Sequence, residues 1–456
     1  DLDPGALRFR MVKKLLLFVA LLHVFSGCGA PVRRPVSQPG PAASVVKPLP
    51  PREAPASTSA PGVPKPSVRL TPGPKTVSPL VRIPDDQLPS FADDMDIESL
   101  DRAIGKSLQF FGRASGKGPF LMGDAWVSVQ ELRDSLIALQ EILGSADTDE
   151  VKQNRIRQAF DVYRTTGLNG RNNVLITGYF ESLLRGSLTR TERFKYPIYR
   201  SPADAVAVNL GKFSEKYGSQ QLIGRVIDGE LIPYHSRRDI EEGGILSGRN
   251  LEIAWVDDRV DLFFLHTQGS GKIELPDGSL LQIGYASRNG RPFQSVGTHL
   301  LKTGKLAPQD NSYREIKKYL REHPKDLTEI LGYNESFIFF RVVREGPVGA
   351  IEEILTPGRS IATDPDLFPK GALAFIKSRK PILDREGNVE SWLPYSRFVV
   401  SQDVGGMIKG AGRVDLFCGS GTQAEMVAGS LKERGELYFL VKKRANGSAN
   451  SKPSEK

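Results

Sequence analysis

Two short stretches near the C-terminus carry the residue types that could move a proton. One reads Gln402-Asp403-Val404-Gly405-Gly406-Met407-Ile408-Lys409-Gly410, the other Arg413-Val414-Asp415-Leu416-Phe417, and an earlier acid lies in Ala362-Thr363-Asp364-Pro365. Gly405-Gly406 permits a tight backbone path. If 413–417 is a strand, Val414 and Leu416 share one face, and Arg413, Asp415 and Phe417 share the other. An acid in an otherwise apolar strand, beside an aromatic, is desolvated. Desolvation raises a carboxyl pKa and suits a proton donor near neutral pH. Spacing alone leaves Asp403 and Asp415 open to a plainer reading, as ordinary turn or strand-end acids.

The elements that must position these residues follow from periodicity. Ile97, Leu100, Ile104, Leu108 and Phe111 recur at helical spacing, as do Val129, Leu132, Leu136, Leu139 and Ile142. A third helix is expected over Glu150–Tyr163, with Ile156, Phe160 and Tyr163 on one face. From Val174 the texture turns to short β-like runs at Val174–Phe180, Leu251–Ile253, Val260–Leu265 and Phe337–Val343, separated by Gly, Asn and Asp turns. A helical interval, Ser312–Leu331, interrupts them, with a break at Pro324. Further strands are expected at Ser360–Thr363, Leu373–Ile376, Phe398–Ser401, Val414–Cys418 and Leu437–Val441. Asp384–Asn388 is a hairpin-turn signal, and Thr422-Gln423-Ala424-Glu425 reads as a capping box. Helices followed by a mostly β body make the fold class α+β.

Length and composition set the outer limits. The chain has 456 residues, enough for two or three domains and a large core. Its only cysteines are Cys28 and Cys418, which excludes a disulfide scaffold and a four-cysteine zinc site. The five histidines are scattered, with no H-E-x-x-H, so no metal site and no cofactor is expected. No phosphate-binding glycine loop occurs. The net charge of +9 sits on the ends: residues 1–30 carry +2, 31–90 carry +5 and 442–456 carry +4, leaving about −2 for 91–441. A nucleic-acid groove needs basic charge on a folded surface, so nucleic acid is not an expected partner.

The first ninety residues read as address and tether. Residues 1–10 precede the expected start at Met11. Lys13 and Lys14 then lead into the apolar run Leu15–Phe25, too short to span a bilayer, which reads as a signal peptide. Phe25-Ser26-Gly27-Cys28 resembles a bacterial lipoprotein cleavage box, implying lipid on Cys28, and Gly29 favours the outer membrane. Residues 29–90 form a Pro-rich tether; 16 of the 32 prolines fall in 31–90. Such chain orders poorly and extends at roughly 3 Å per residue, so it could reach on the order of 100 Å.

Q-D-x-G-G-x-I-K-G followed by R-x-D-L-F resembles the three-aspartate double-psi β-barrel of the MltA-type lytic murein transglycosylases. Further motifs resemble the family in its own order: Ile176–Phe180, Tyr196–Tyr199, Phe263–Gly271, Gly284–Ala286, Asn289-Gly290 and Ser336–Phe340. The resemblance implies a double-psi barrel with helices, from 91–179 plus 346–443, and a second β domain inserted at 180–345. A disordered tail, 444–456, would follow. Glycan would lie in the groove between the two domains. The implied activity is cleavage of the β-1,4 bond between N-acetylmuramic acid and N-acetylglucosamine in peptidoglycan, leaving a 1,6-anhydro end. By motif match Asp415 is the acid and base, Asp403 shapes its field, and Asp364 supports. Thr177, Gly178 and Tyr179, with Gln268, Gly269 and Ser270, would line the groove. A strand entering the insert and a hairpin turn remain the plainer readings of those two stretches. The protein would be an outer-membrane lipoprotein facing the periplasm. Two other functions stay open: a non-catalytic peptidoglycan-binding lipoprotein, and a two-carboxylate muramidase. His266 is expected to pack, Cys418 to be inert, and Arg237–Glu242 to form a solvated loop.

Overall fold

The computed structural model describes residues 78–113, 118–217, 220–308 and 312–444. The signal peptide, Cys28, the Pro-rich tether to residue 77 and the tail from 445 lie outside the described residues. Those described belong to one compact unit.

The expected first two helices form, as Ile97–Arg113 and Val129–Leu143. Each buries its apolar stripe. The second opens on a capping box in which Ser128 and Glu131 satisfy each other's backbone N–H. The third helix, Asp149–Ala159, ends earlier than expected. Phe160 is its C-cap and starts the strand Phe160–Thr165, which pairs antiparallel with Lys432–Lys442. Pairing with a strand far along the chain overrides the local helical spacing of Phe160 and Tyr163.

Six strands close into a ring. The long strand Val174–Ser187 pairs in parallel with Arg413–Ser420. Arg413–Ser420 pairs antiparallel with Ser360–Ala362, which lies parallel to Val389–Asp403. Val389–Asp403 forms a hairpin with Leu373–Leu383 through the expected Asp384–Asn388 turn, where Gly387 holds φ 83°. Leu373–Leu383 pairs with Lys432–Lys442, whose first residues return to pair with Val174–Thr177. This ring fits the barrel that the sequence resemblance implies. Val174, Ile176, Ile361, Phe375, Phe398, Val414, Leu416 and Phe439 join the helix residues Leu100, Ile104, Leu136 and Leu139 in one buried cluster. Each such side chain contributes roughly 1.5–3 kcal/mol by leaving water.

The same long strand, hereafter the bridging strand, continues out of the ring. Its residues Ser182–Arg185 pair in parallel with Ser270–Glu274, and its last two residues pair with Glu252–Val256. Leu280–Arg288 and Ile338–Val342 extend that sheet. The inserted part is not β alone. Arg259–Gln268, expected to hold a strand, is a helix with residues buried all round. A short, mostly apolar run cannot distinguish a buried strand from a buried helix. Arg237–Glu241 is a short helix, not a solvated loop. Arg237 itself is 1% exposed, bonded to the carbonyls of Asn334 and Ser336 and paired with Glu241. Tyr313–Glu322 and Leu327–Gly332 flank a turn begun by Pro324, as expected. The helix Thr422–Ser430 forms too, but its N-cap is Gly421 and Thr422 lies inside it. Among the described residues no helix is long and apolar enough to cross a membrane.

Candidate active site

Strand register assembles the site. Across neighbouring strands, Asp403 lies beside Ala362, Ala362 beside Asp415, and Asp415 beside Thr177. Val414 and Leu416 point into the core cluster, so Asp415 takes the opposite face. Ala362 presents only a methyl between the two acids.

Each aspartate is held by a hydroxyl from the bridging strand. Thr177 donates its Oγ1 proton to Asp415 Oδ1 at 2.5 Å, and Arg413 donates to the same Thr177 oxygen at 3.2 Å. Tyr179 donates to Asp403 Oδ2 at 2.8 Å, its ring 5.3 Å from that of Phe417. Asp403 Oδ1 also accepts the backbone N–H groups of Ala350, at 3.0 Å, and Val404, at 2.9 Å. The two oxygens of Asp403 are thus committed to three donors, while Asp415 is held at one.

The electrostatics follow from this packing. Burial pushes the Asp415 carboxyl up to about 6; the Thr177 hydrogen bond and the Arg413 charge oppose the rise, and the Asp403 charge adds to it. Burial also pushes Asp403 up to about 6, against the Tyr179 hydroxyl and the two backbone donors. Repulsion between the acids is therefore the lesser cause. A carboxyl that titrates near 6, with one free oxygen, can donate a proton and take one back near neutral pH.

The third aspartate has different partners. Asp364 is buried, pairs with Lys409 at 3.0 Å and accepts the Gly410 N–H at 2.8 Å. It thereby pins the loop that joins Asp403 to Asp415. Gly178 faces away from the acids. A Cβ there would meet the Ala428 Cα at 2.7 Å and Cys418 Sγ at 2.9 Å, so glycine lets the helix Thr422–Ser430 lie against the strand.

Gln268–Ser270, expected to line the groove, is a helix end running into a strand, not a hairpin turn. Gln268 Oε1 accepts the Phe180 N–H at 3.1 Å, which ties its helix to the bridging strand. Gly269 is the left-handed C-cap at φ 84°, and Ser270, buried, starts the next strand. His266 packs at 4.2 Å from the Phe337 ring, and burial holds it well below the usual histidine range. Burial raises the Cys418 thiol to about 12, so it is no nucleophile at neutral pH. Among the described residues no His, Cys, Asp and Glu cluster is placed to hold a metal ion. Asn289 was legible only as part of a motif; fully buried, it bonds the carbonyls of His235 and Glu335 and accepts the Phe337 N–H.

Comparisons with known proteins bear on the same residues. The family model described as the MltA specific insert domain matches residues 175–341, and that of the 3D domain matches residues 359–441. Membrane-bound lytic murein transglycosylase A of Escherichia coli (strain K12) is 31% identical over 317 residues, 69% of this chain and 76% of that protein. The homolog of Buchnera aphidicola subsp. Schizaphis graminum is 28% identical over 298 residues, 65% of this chain and 72% of its own. Among solved structures, the membrane-bound lytic murein transglycosylase from Agrobacterium tumefaciens superposes with a TM-score of 0.66 at 30% identity, covering 80% of this chain and 97% of that one. E. coli MltA with bound chitohexaose superposes with a TM-score of 0.61 at 25% identity, over 80% and 95% of the two chains.

Proposed function

The chain belongs to the MltA family of lytic murein transglycosylases, which are peptidoglycan lyases, and from that premise we propose that it cleaves the β-1,4 bond between N-acetylmuramic acid and N-acetylglucosamine with Asp415 as its single acid and base. The observation that carries this reading is the asymmetry of the two acids. Both titrate near 6, but Asp403 is fastened by Tyr179 and two backbone N–H groups, while Asp415 has one partner. Asp415 protonates the glycosidic oxygen as the bond to the anomeric carbon breaks. The C6 hydroxyl of the muramyl sugar then attacks that carbon, and the Asp415 carboxylate takes the hydroxyl proton. The products are a new N-acetylglucosamine end and a 1,6-anhydro muramyl end, with no water consumed. An intramolecular nucleophile has a high effective concentration, so a second carboxylate is not needed. A muramidase needs that second carboxyl as base or nucleophile; the three donors on Asp403 speak against that role.

Chitohexaose bound to the E. coli relative supports a groove for N-acetyl sugars here. We place its walls at the acid-bearing strands and at the insert near Gln268–Ser270, with Asp403 and Asp364 in support. The relatives are named membrane-bound, which agrees with a lipid anchor at Cys28, an outer-membrane location facing the periplasm and a tether across to the wall. Cys28→Ser should move the full chain from the membrane to the soluble fraction on cell fractionation.

The decisive test is mass spectrometry of muropeptides released from purified sacculi. Anhydro-muramyl ends, one water lighter than reducing ends, are expected with the parent protein, and Asp415→Asn should lower their release by about 10²–10⁴-fold, the usual worth of a general acid. Reducing ends would make the protein a muramidase. Binding to sacculi without release would leave a glycan-binding lipoprotein.

A further inference from the structure

The bridging strand carries a third residue on the face of Thr177 and Tyr179. Glu181 lies two residues beyond Tyr179, where the strand leaves the ring for the insert, and it is 1% exposed. A buried carboxylate costs several kcal/mol unless it is well partnered. Its partners come from both sides of the seam. Ser420, at the end of the strand that carries Asp415, donates to one oxygen at 2.5 Å. Lys272 pairs with that oxygen at 3.2 Å, and Gln282 donates to the other. Ser420 belongs to the ring; Lys272 and Gln282 belong to the insert sheet. The returning chain meets the same cluster, because a Cβ at Gly346 would lie 2.9 Å from the Gln282 amide nitrogen. Both crossings between ring and insert, outward at Glu181 and homeward at Gly346, thus converge on one ion.

We propose that Glu181 is a positioning residue for the glycan-cleaving reaction, fixing the insert against the acid-bearing wall at the separation that a sugar chain requires. The proposal rests on the transglycosylase reading above. Glu181 does not touch the reacting atoms: it lies four residue steps along the strand from Thr177, about 13 Å along the backbone. It acts through Ser420 on one wall and Lys272 and Gln282 on the other. Loss of the clamp lets the walls drift, which weakens the hold on a chain spanning both while the chemistry at Asp415 keeps its proton inventory.

The experiment measures kcat and KM of the full chain on peptide-stripped glycan strands, with product ends read by mass spectrometry. Glu181→Gln and Lys272→Met should each raise KM about tenfold or more. The anhydro product and the alkaline limb of the pH profile should stay as in the parent. The charge-exchanged pair, Glu181→Lys with Lys272→Glu, should recover most of the lost KM. Ser420→Ala removes one neutral partner and should raise KM less; it carries the test if the charge variants fail to fold by circular dichroism. An active parent with single variants of parental KM would overturn the proposal. So would a fall in kcat alone with a lowered melting temperature, the sign of a merely smaller folded fraction. A parent that yields no anhydro ends would instead sink the transglycosylase reading itself.

Discussion

Burial raises the affinity of Asp415 for its proton, and Thr177 and Arg413 hold that rise in check. The hydroxyl of Thr177 stabilises the carboxylate form, so Thr177→Val should raise the carboxyl pKa further. The alkaline limb of the rate profile, expected near pH 6, should move upward by roughly half to one pH unit, the size of one net hydrogen bond. A limb that stays in place would remove Thr177 from the proton balance. The stability consequence has the opposite sense. Asp415 titrates near 6 in the fold but near 3.9 in an open chain. The unfolded state therefore ionises first, and stability is lost as pH rises from about 4 through 6. Asp415→Asn removes that loss, so the variant should melt above the parent at pH 8 and level with it at pH 4. Scanning calorimetry at the two pH values checks this. At this scale much was legible in the sequence: the motif marked both acids and the two hydroxyl-bearing neighbours. It did not show that Thr177 and Tyr179 bond the aspartates, because those partners lie more than two hundred residues away and only strand register joins them.

The helix Thr422–Ser430 shows how an element keeps the site in shape. It packs Ala424 and Ala428 against Phe180, and it can approach because residue 178 has no side chain. Gly178→Ala should cost about 1–3 kcal/mol by overpacking, seen as a lower urea midpoint. Activity should fall with it, since the displaced strand carries Thr177 and Tyr179. The elements hardest to read were those decided by contacts outside their own window. Arg259–Gln268 holds its apolar residues in a short run broken by Asp261 and so gives no clear period, and Phe160–Thr165 leaves its helix to pair with Lys432–Lys442. Long amphipathic helices and turn-bounded hairpins were legible because their causes are local.

Arg359 holds the molecule together from a place that its sequence context does not advertise. Fully buried, it pairs with Asp93 at 2.6 Å and bonds Ser99 Oγ and the carbonyls of Asp96 and Phe398. It thereby fastens the N-terminal helical segment to the ring. Arg359→Met leaves Asp93, 17% exposed, without its cation and should cost about 3 kcal/mol, the low end for a broken buried pair, with the whole cooperative transition moving in denaturant. Ring closure was likewise hidden from the sequence. Pairings such as Lys432 with Thr177 close the circuit over a chain separation that no local pattern encodes.

The bridging strand sets a limit on motion as well as on shape. Many two-lobed enzymes open like a clamshell, about a few flexible residues that absorb the change. Here the outward crossing is the middle of a hydrogen-bonded strand, laddered to Arg413–Ser420 on one side of the seam and to Ser270–Glu274 on the other. A wide swing would tear one ladder or the other. The seam therefore acts as a splint: the spacing between ring and insert is set when the chain folds, not when something binds.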